Sequence, residues 1–338
     1  MATTTHPPTG PDTMPALVQR SWRGPEDLAL NRDHPRPEPE PGGYLVRVGA
    51  AGVNFADVLR ARGSYAGGPR PPFVAGFEAA GEIVAVGPGV NAPLPVGSPV
   101  IGAGPGAFAR YMTMPAAEAL PVPPGWTAAQ ALGLVLNGAT ALAALRPLGE
   151  LAAGETVLIH AAAGGVGQTA VRLARHLGAR VVATASPAKH AAVRALGVEH
   201  VLDPRRPDLA EEIRRLTGGV DLVLESVGRT TFAASLAAAR PVTGRVVVFG
   251  AASGDAHLTT HDLVFTHPVR VQGLHIGTLA REAPATYRAL LAELRALVDR
   301  GVYPPGTPEV HPLAEGPAVL RELAAGTTRG KHALDPWR

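Results

Sequence analysis

The chain of 338 residues contains no cysteine, so disulfides and thiolate zinc sites are excluded. Aromatic residues make up only 4% and charged residues 17%, while 46% are hydrophobic, which is the balance of a folded globular chain. Charge of one sign is not in excess. The net value is +3, and the arginines are spread along the chain rather than gathered into a basic block, so nucleic acid is not an expected partner. One long apolar stretch exists, residues 128–145, but Gln130 and Asn137 interrupt it and Arg146 and Pro147 follow it. No membrane span or membrane partner is expected from it. The first fifteen residues are polar and proline-rich, without the apolar core of a secretory signal, and the expected location is cytoplasmic.

What the chain has in quantity is glycine (40) and proline (34), and their distribution divides it. Residues 1–13 read as a disordered leader, with Met14 as an alternative start. Residues 14–126 alternate short β-rich runs, such as Tyr44–Val48 and Gly81–Val86, with Gly/Pro turns, as a small β-barrel-like domain does. From Thr127 strands and helices alternate: helix 127–145, strand 156–160, helix 168–177, strand 180–184, helix 187–196, strand 200–202, helix 209–216, strand 220–225, helix 231–239 and strand 245–249. Alternation of this kind predicts a parallel sheet covered on both faces. A last strand is expected at 270–275, then helices at 285–300 and 317–325. Leu290, Leu291, Leu294 and Leu297 form the packing stripe of the longer one.

The most specific local signal is the run Val157 to Gly167, where an apolar strand enters the turn Ala162-Ala163-Gly164-Gly165-Val166-Gly167 and a helix follows. This is a dinucleotide fingerprint with alanine at the first glycine position. Gly164 lets backbone approach the pyrophosphate, Gly167 lets the helix lie close on the strand, and the helix N-terminus offers N–H groups to phosphate. Ala163, Gly165 and Val166 complete the predicted cradle. An acidic residue binding the ribose 2′-hydroxyl would stand at the end of the second strand. The residues there, 183–189, include no Asp or Glu but carry Ser186 and Lys189, with Arg205 and Arg206 after the third strand. A hydroxyl and cations suit a 2′-phosphate, so NADP(H) is the expected cofactor.

Several further segments, in order along the chain, resemble the zinc-independent quinone oxidoreductase branch of the medium-chain dehydrogenase/reductase superfamily. They are Ala51-Gly52-Val53-Asn54-Phe55-Ala56-Asp57, Arg62-Gly63-Ser64-Tyr65, Gly76-Phe77-Glu78-Ala79-Ala80-Gly81, Asn137-Gly138-Ala139-Thr140-Ala141, the glycine turn and Gly330-Lys331. The resemblance spans residues 14–336. It implies an α/β fold in which a Rossmann doubly wound parallel sheet (127–277) is inserted in a GroES-like β-rich catalytic domain (14–126 and 278–338). It also implies an active site in the cleft between them and a homodimer. Zinc-bearing relatives use a cysteine and the histidine of a Gly-His-Glu motif, where this chain has Asn54 and Phe77, so no metal ligands are expected. The chain also resembles enoyl reductase domains of polyketide synthases over residues 183–190. Their candidate lysine donor is missing from Gly250-Ala251-Ala252-Ser253, and Pro204 stands where quinone oxidoreductases commonly have a tyrosine.

The implied reaction is hydride transfer from NADPH to a small-molecule quinone, or to the β-carbon of an enone or enal. Charge that develops on oxygen must then be met by placed donors. Tyr65 and Asn54 are the catalytic candidates, against plainer readings as a barrel-surface tyrosine and a turn asparagine. Asn137 and Thr140 are expected near the cofactor, with helix capping as the rival role of Asn137. Phe249, Gly250 and His275 close the sheet where the nicotinamide would lie, and the resemblance adds Lys331 to the cofactor set. His275 reads either as a proton donor or as a packed core histidine. His257, His261 and His267 read as loop and surface residues. Two alternatives stay open: a pathway-specific reductase or cyclase of a natural-product intermediate, and a non-catalytic NADPH-binding protein of crystallin type.

Overall fold

The protein is described from a computed structural model, covering residues 12–338. The chain forms two compact units, one of residues up to Leu136 together with Pro305–Arg338, the other Asn137–Pro304.

The first unit is β-rich. Strands β1 (Thr13–Gln19), β2 (Leu28–Pro35) and β4 (Phe73–Val74) form a three-stranded sheet in the order β2-β1-β4. Strands β3 (Gly43–Val53), β5 (Glu78–Val86), β6 (Pro99–Ala103), β7 (Tyr111–Pro115) and β8 (Ala119–Pro121) build the larger sheet. The C-terminal strands β15 (Glu309–Pro312) and β16 (His332–Asp335) extend it beyond β3. Helices α1 (Phe55–Ala61), α2 (Ala128–Ala131) and α10 (Gly316–Ala324) complete the unit. Alternating side chains of these strands, among them Leu17, Val46, Val48, Ile83, Met112 and Leu334, meet Phe108 from the loop before β7 in one core.

The second unit carries a six-stranded, wholly parallel sheet. Its strands are β9 (Thr156–Ile159), β10 (Arg180–Thr184), β11 (His200–Leu202), β12 (Leu222–Glu225), β13 (Arg245–Val248) and β14 (Arg270–Gly273). They lie in the order β11-β10-β9-β12-β13-β14, which is 3-2-1-4-5-6, the Rossmann arrangement with its strand-order reversal beside β9. Helices α3 (Ala139–Leu145), α4 (Gly165–His176), α5 (His190–Arg194), α6 (Leu209–Thr217), α7 (Phe232–Ala238), α8 (Ile276–Glu282) and α9 (Pro284–Asp299) accompany the sheet. The α6 helix shows local sequence logic throughout: Glu211 and Glu212 in its first turn, Arg214 and Arg215 in its last, and Gly218 in the left-handed region at its end.

Three expectations need correction. The helix expected over 127–145 is broken: α2 is followed by a wide turn at Leu134–Gly138 and then α3. This 128–145 stretch is 78% buried, as a core segment is. Residues 278–304, expected with the β-rich unit, belong to the second one, because α9 buries Leu290, Leu291, Leu294 and Leu297 and lies so close to α3 that a Cβ on Gly138 would come within 3.2 Å of Leu294. Of the expected leader, residues 1–11 lie outside the described residues, whereas Thr13 opens β1 and pairs with Pro35.

Candidate active site

In the first unit, strand register gathers three distant polar residues at one corner. Strand β16 pairs with β3 so that His332 opposes Val53, and β3 pairs with β5 so that Ala51 opposes Ala79. Lys331, just before β16, Asn54, just after β3, and Glu78, at the start of β5, therefore converge. Lys331 Nζ donates to Glu78 Oε2 at 2.5 Å and to Asn54 Oδ1 at 2.6 Å. Asn54 Nδ2 donates to Glu78 Oε2 at 3.0 Å, and the Gly133 N–H donates to Glu78 Oε1 at 2.7 Å. Glu78 is fully buried. Gly52 makes room for the pair, since a Cβ there would stand 2.2 Å from Glu78 Oε2.

Asn54 also caps α1, and its backbone N–H donates to Asp57 Oδ2 at 2.9 Å. Asp57 is buried, and burial pushes its carboxyl up to about 7 despite the opposing pull of Arg60. The Arg60 guanidinium lies over the Phe77 ring at 4.9 Å, and the Tyr65 ring is 6.4 Å from the same ring. Burial raises the Tyr65 hydroxyl above its ordinary range, so it remains a donor at neutral pH. Sequence reasoning singled out Asn54, Tyr65 and Lys331 but not the Asp57 carboxyl; its place three residues after a capping asparagine was the available signal.

In the second unit, the glycine turn after β9 is built as its spacing predicts. Gly164 stands at the N-cap of α4, and the first intrahelical bond runs from the Gln168 N–H to the Gly164 carbonyl. The N–H groups of Gly165, Val166 and Gly167 therefore precede the helical ladder. Gln168 Nε2 braces the turn on the Ala163 carbonyl at 2.9 Å. A Cβ on Gly167 would meet the Ala161 carbonyl oxygen at 2.4 Å, and one on Gly165 would meet Asn137 Oδ1 at 2.8 Å. Asn137 thus faces the turn from within the wide turn before α3 and is not that helix's N-cap, a position held by Gly138. Thr140, one turn on, is buried.

Beyond β10, Ser186 precedes a short 3₁₀ turn that ends at Lys189. Arg205 is held by Asp203, with Nε–Oδ1 at 3.1 Å and Nη2–Oδ2 at 3.0 Å. Arg205, an expected cation, is thus engaged by an acid two residues before it. Phe249, just past β13, donates its N–H to the Glu225 carbonyl, and Gly250 passes so close to Ser226 that a Cβ would meet its carbonyl oxygen at 2.7 Å. His275 is not a core histidine. It is exposed and caps α8, its Nδ1 accepting from the Thr278 N–H at 3.0 Å. That bond puts the proton of the neutral ring on Nε2, and partial desolvation of the ring together with Arg281 lowers its pKa. Among the loop histidines, His261 lies against Phe265 at 5.3 Å.

A buried network beneath the turn escaped sequence reasoning. His160, at the end of β9, joins Thr184 Oγ1 (2.9 Å) through Nδ1 and Ser235 Oγ (3.0 Å) through Nε2. Ser235 donates to Glu225, which also receives the Thr231 hydroxyl and the N–H groups of Val227 and Gly228. With Ser235 donating to Glu225, the imidazole donates through Nε2 and accepts at Nδ1. It is neutral, and burial lowers its pKa accordingly. The legible signal was a polar residue ending each of several apolar strands, on the side where nucleotides bind in such sheets.

Comparison with known proteins shows the family. Residues 40–124 match the family model "Alcohol dehydrogenase GroES-like domain", and residues 165–296 match "Zinc-binding dehydrogenase". Among solved structures, a mycobacterial protein complexed with NADPH is similar at 34% identity and TM-score 0.89, with 96% of this chain and 100% of that one covered. A quinone oxidoreductase of Pseudomonas syringae is similar at 32% identity and TM-score 0.88, over 96% and 100%. The CurK enoyl reductase is similar at 30% and 0.85, over 95% and 99%. The chain belongs to the quinone oxidoreductase branch of the medium-chain dehydrogenase/reductase superfamily. It also matches a mycocerosic acid synthase-like polyketide synthase of Mycobacterium tuberculosis at 39% identity over 89% of its own length, but spans only 14% of that protein.

The Asn54 side chain offers an amide at this corner, and the Glu78 carboxylate beside it is already engaged by Lys331.

Proposed function

We propose that this chain is an NADPH-dependent reductase that passes hydride to a quinone, or to the β-carbon of an α,β-unsaturated carbonyl, without a metal at the reacting centre. The observation that carries this reading is the Lys331–Glu78–Asn54 corner, where a cation and an amide stand against the carboxylate in place of a Lewis acid. When bound, NADPH supplies the hydride. The N–H groups at residues 165–167 would hold its pyrophosphate, and Ser186 and Lys189 its 2′-phosphate. Tyr65, protonated at neutral pH, donates a hydrogen bond to the substrate oxygen on which charge develops. The Asn54 side chain, fixed by Glu78 and Lys331, is an oriented amide on the same element as Asp57.

The polyketide synthase relative favours a second reading, a reductase dedicated to one natural-product intermediate. Loss of NADPH absorbance in the presence of a benzoquinone, a naphthoquinone, an enal and an enone separates the two, with NADH and chelator as controls. Chelator-resistant turnover with NADPH supports the general reductase. Tight NADPH binding without turnover of any acceptor favours the dedicated enzyme. Failure to bind NADPH, or loss of turnover with chelator, overturns the proposal.

A further inference from the structure

Glu309 and His311 project from the same face of β15, being two residues apart on a strand. Parallel pairing sets Glu309 opposite His332 at the start of β16. His311 Nε2 and His332 Nδ1 are 3.0 Å apart. The Glu309 carboxylate straddles them, Oε1 being 3.9 Å from His311 Nε2 and Oε2 3.9 Å from His332 Nδ1. The three side chains thus aim their donor atoms at one point. Donors bound to a tetrahedral zinc ion at its usual bond lengths stand about 3.3 Å from one another. The observed separations bracket that value, and small side-chain rotations would equalise them.

The surroundings also suit a metal. His332 is buried and His311 nearly so, whereas Glu309 is exposed, so the site has fixed imidazoles behind and a mobile carboxylate facing water. On its far side, His311 Nδ1 faces Glu315 Oε2 at 3.5 Å. A carboxylate behind a ligating histidine holds its proton on the far nitrogen and leaves the near one free to bind.

We propose that Glu309, His311 and His332 form a binding site for a divalent transition-metal ion of the zinc class, which clamps β15 to β16 outside the reacting centre. Two imidazoles and one carboxylate are a borderline ligand set that takes Zn²⁺ or Co²⁺ in preference to Ca²⁺ or Mg²⁺. The ion displaces the proton now shared between the two rings, so binding weakens as the solution is acidified. The proposal does not rest on the proposed reductase activity. Sequence reasoning, which expected no metal ligands on the strength of Asn54 and Phe77, did not bring these three residues together: His332 lies more than twenty residues from the other two, and only strand pairing joins them.

The test uses the untagged full chain, stripped with chelator. Zn²⁺ is titrated in competition with a chromophoric chelator, and Co²⁺ is titrated by its visible absorption. One equivalent of either ion should bind tightly, and Zn²⁺ should raise Tm. Glu309→Gln and His311→Gln, both near the surface, should each weaken that equivalent at least tenfold and abolish the Tm rise. Glu315→Gln should weaken it roughly tenfold. His257→Gln/His261→Gln, in the other histidine-rich segment, should change nothing. The proposal is overturned if no equivalent binds, if Glu309→Gln and His311→Gln leave it intact, or if the loop double variant removes it.

Discussion

Lys331 Nζ lies 2.5 Å from Glu78 Oε2 although the two residues are 253 positions apart, and Glu78 has no exposure to solvent. A buried pair of this kind contributes little net stability as a unit, because desolvation offsets attraction. Removing one partner is different, since it strands a charge. Lys331→Met should therefore destabilise the protein by about 3–5 kcal/mol, and Lys331→Met/Glu78→Gln by clearly less. Urea unfolding of the two variants checks this. Equal losses would mean that the lysine stabilises the corner through packing alone.

Asp57 gives the same corner a pH response. Its pKa rises from 3.8 to about 7 on folding, so between those values the native protein holds a proton that the unfolded chain has released. Its contribution is fully present below the unfolded value and is lost as pH rises through about 7. Across that window wild type should lose up to ~4 kcal/mol of stability relative to Asp57→Asn. Chemical unfolding of both proteins at several pH values measures the difference. Parallel curves would show that the carboxyl titrates normally.

Much of this architecture was legible because it repeats a period. Alternation of strand and helix announced the parallel sheet, and the turn at 162–167 announced the nucleotide end of β9. The pairing of Lys331 with Glu78, of His160 with Ser235 and of His311 with His332 was not legible. Each depends on how distant segments pair or pack, the first and third on strand register and the second on α7 lying against the sheet, and no local pattern encodes either. The place of His275 was not legible for a related reason. Residues 270–275 read as a strand, but β14 stops at Gly273 and the histidine turns outward to cap a helix. Gly138 tells a similar story, its closeness to Leu294 explaining why α9 sits with the parallel sheet.

Two glycines of the turn should respond differently. Gly164 has an ordinary φ of −81°, and a Cβ there would meet the Ala161 carbonyl oxygen at 3.3 Å, a contact that small shifts relieve. Gly164→Ala should keep its Tm but bind NADPH roughly tenfold more weakly, about 1.4 kcal/mol, because the methyl group obstructs the approach of phosphate. At Gly167 a Cβ would press on backbone, with Ala162 Cα at 2.6 Å, so Gly167→Ala should lose about 1–3 kcal/mol of stability as well. Thermal unfolding and NADPH titration together distinguish them. Equal Tm losses in both variants would refute the contrast.

Tyr65 provides the sharpest test of the chemistry. Its hydroxyl is the donor we assign to the substrate oxygen, and burial keeps it protonated well into the alkaline range. Tyr65→Phe removes only that oxygen and leaves the ring beside Phe77. If the hydroxyl meets charge that appears in the transition state, kcat should fall about 10²-fold while NADPH affinity stays the same. A purely structural tyrosine would behave differently: the variant would lose stability, or raise KM, with kcat preserved. Steady-state kinetics with the best acceptor, read beside a Tm measurement, separates these outcomes, and an unchanged kcat would transfer the donor role to another group.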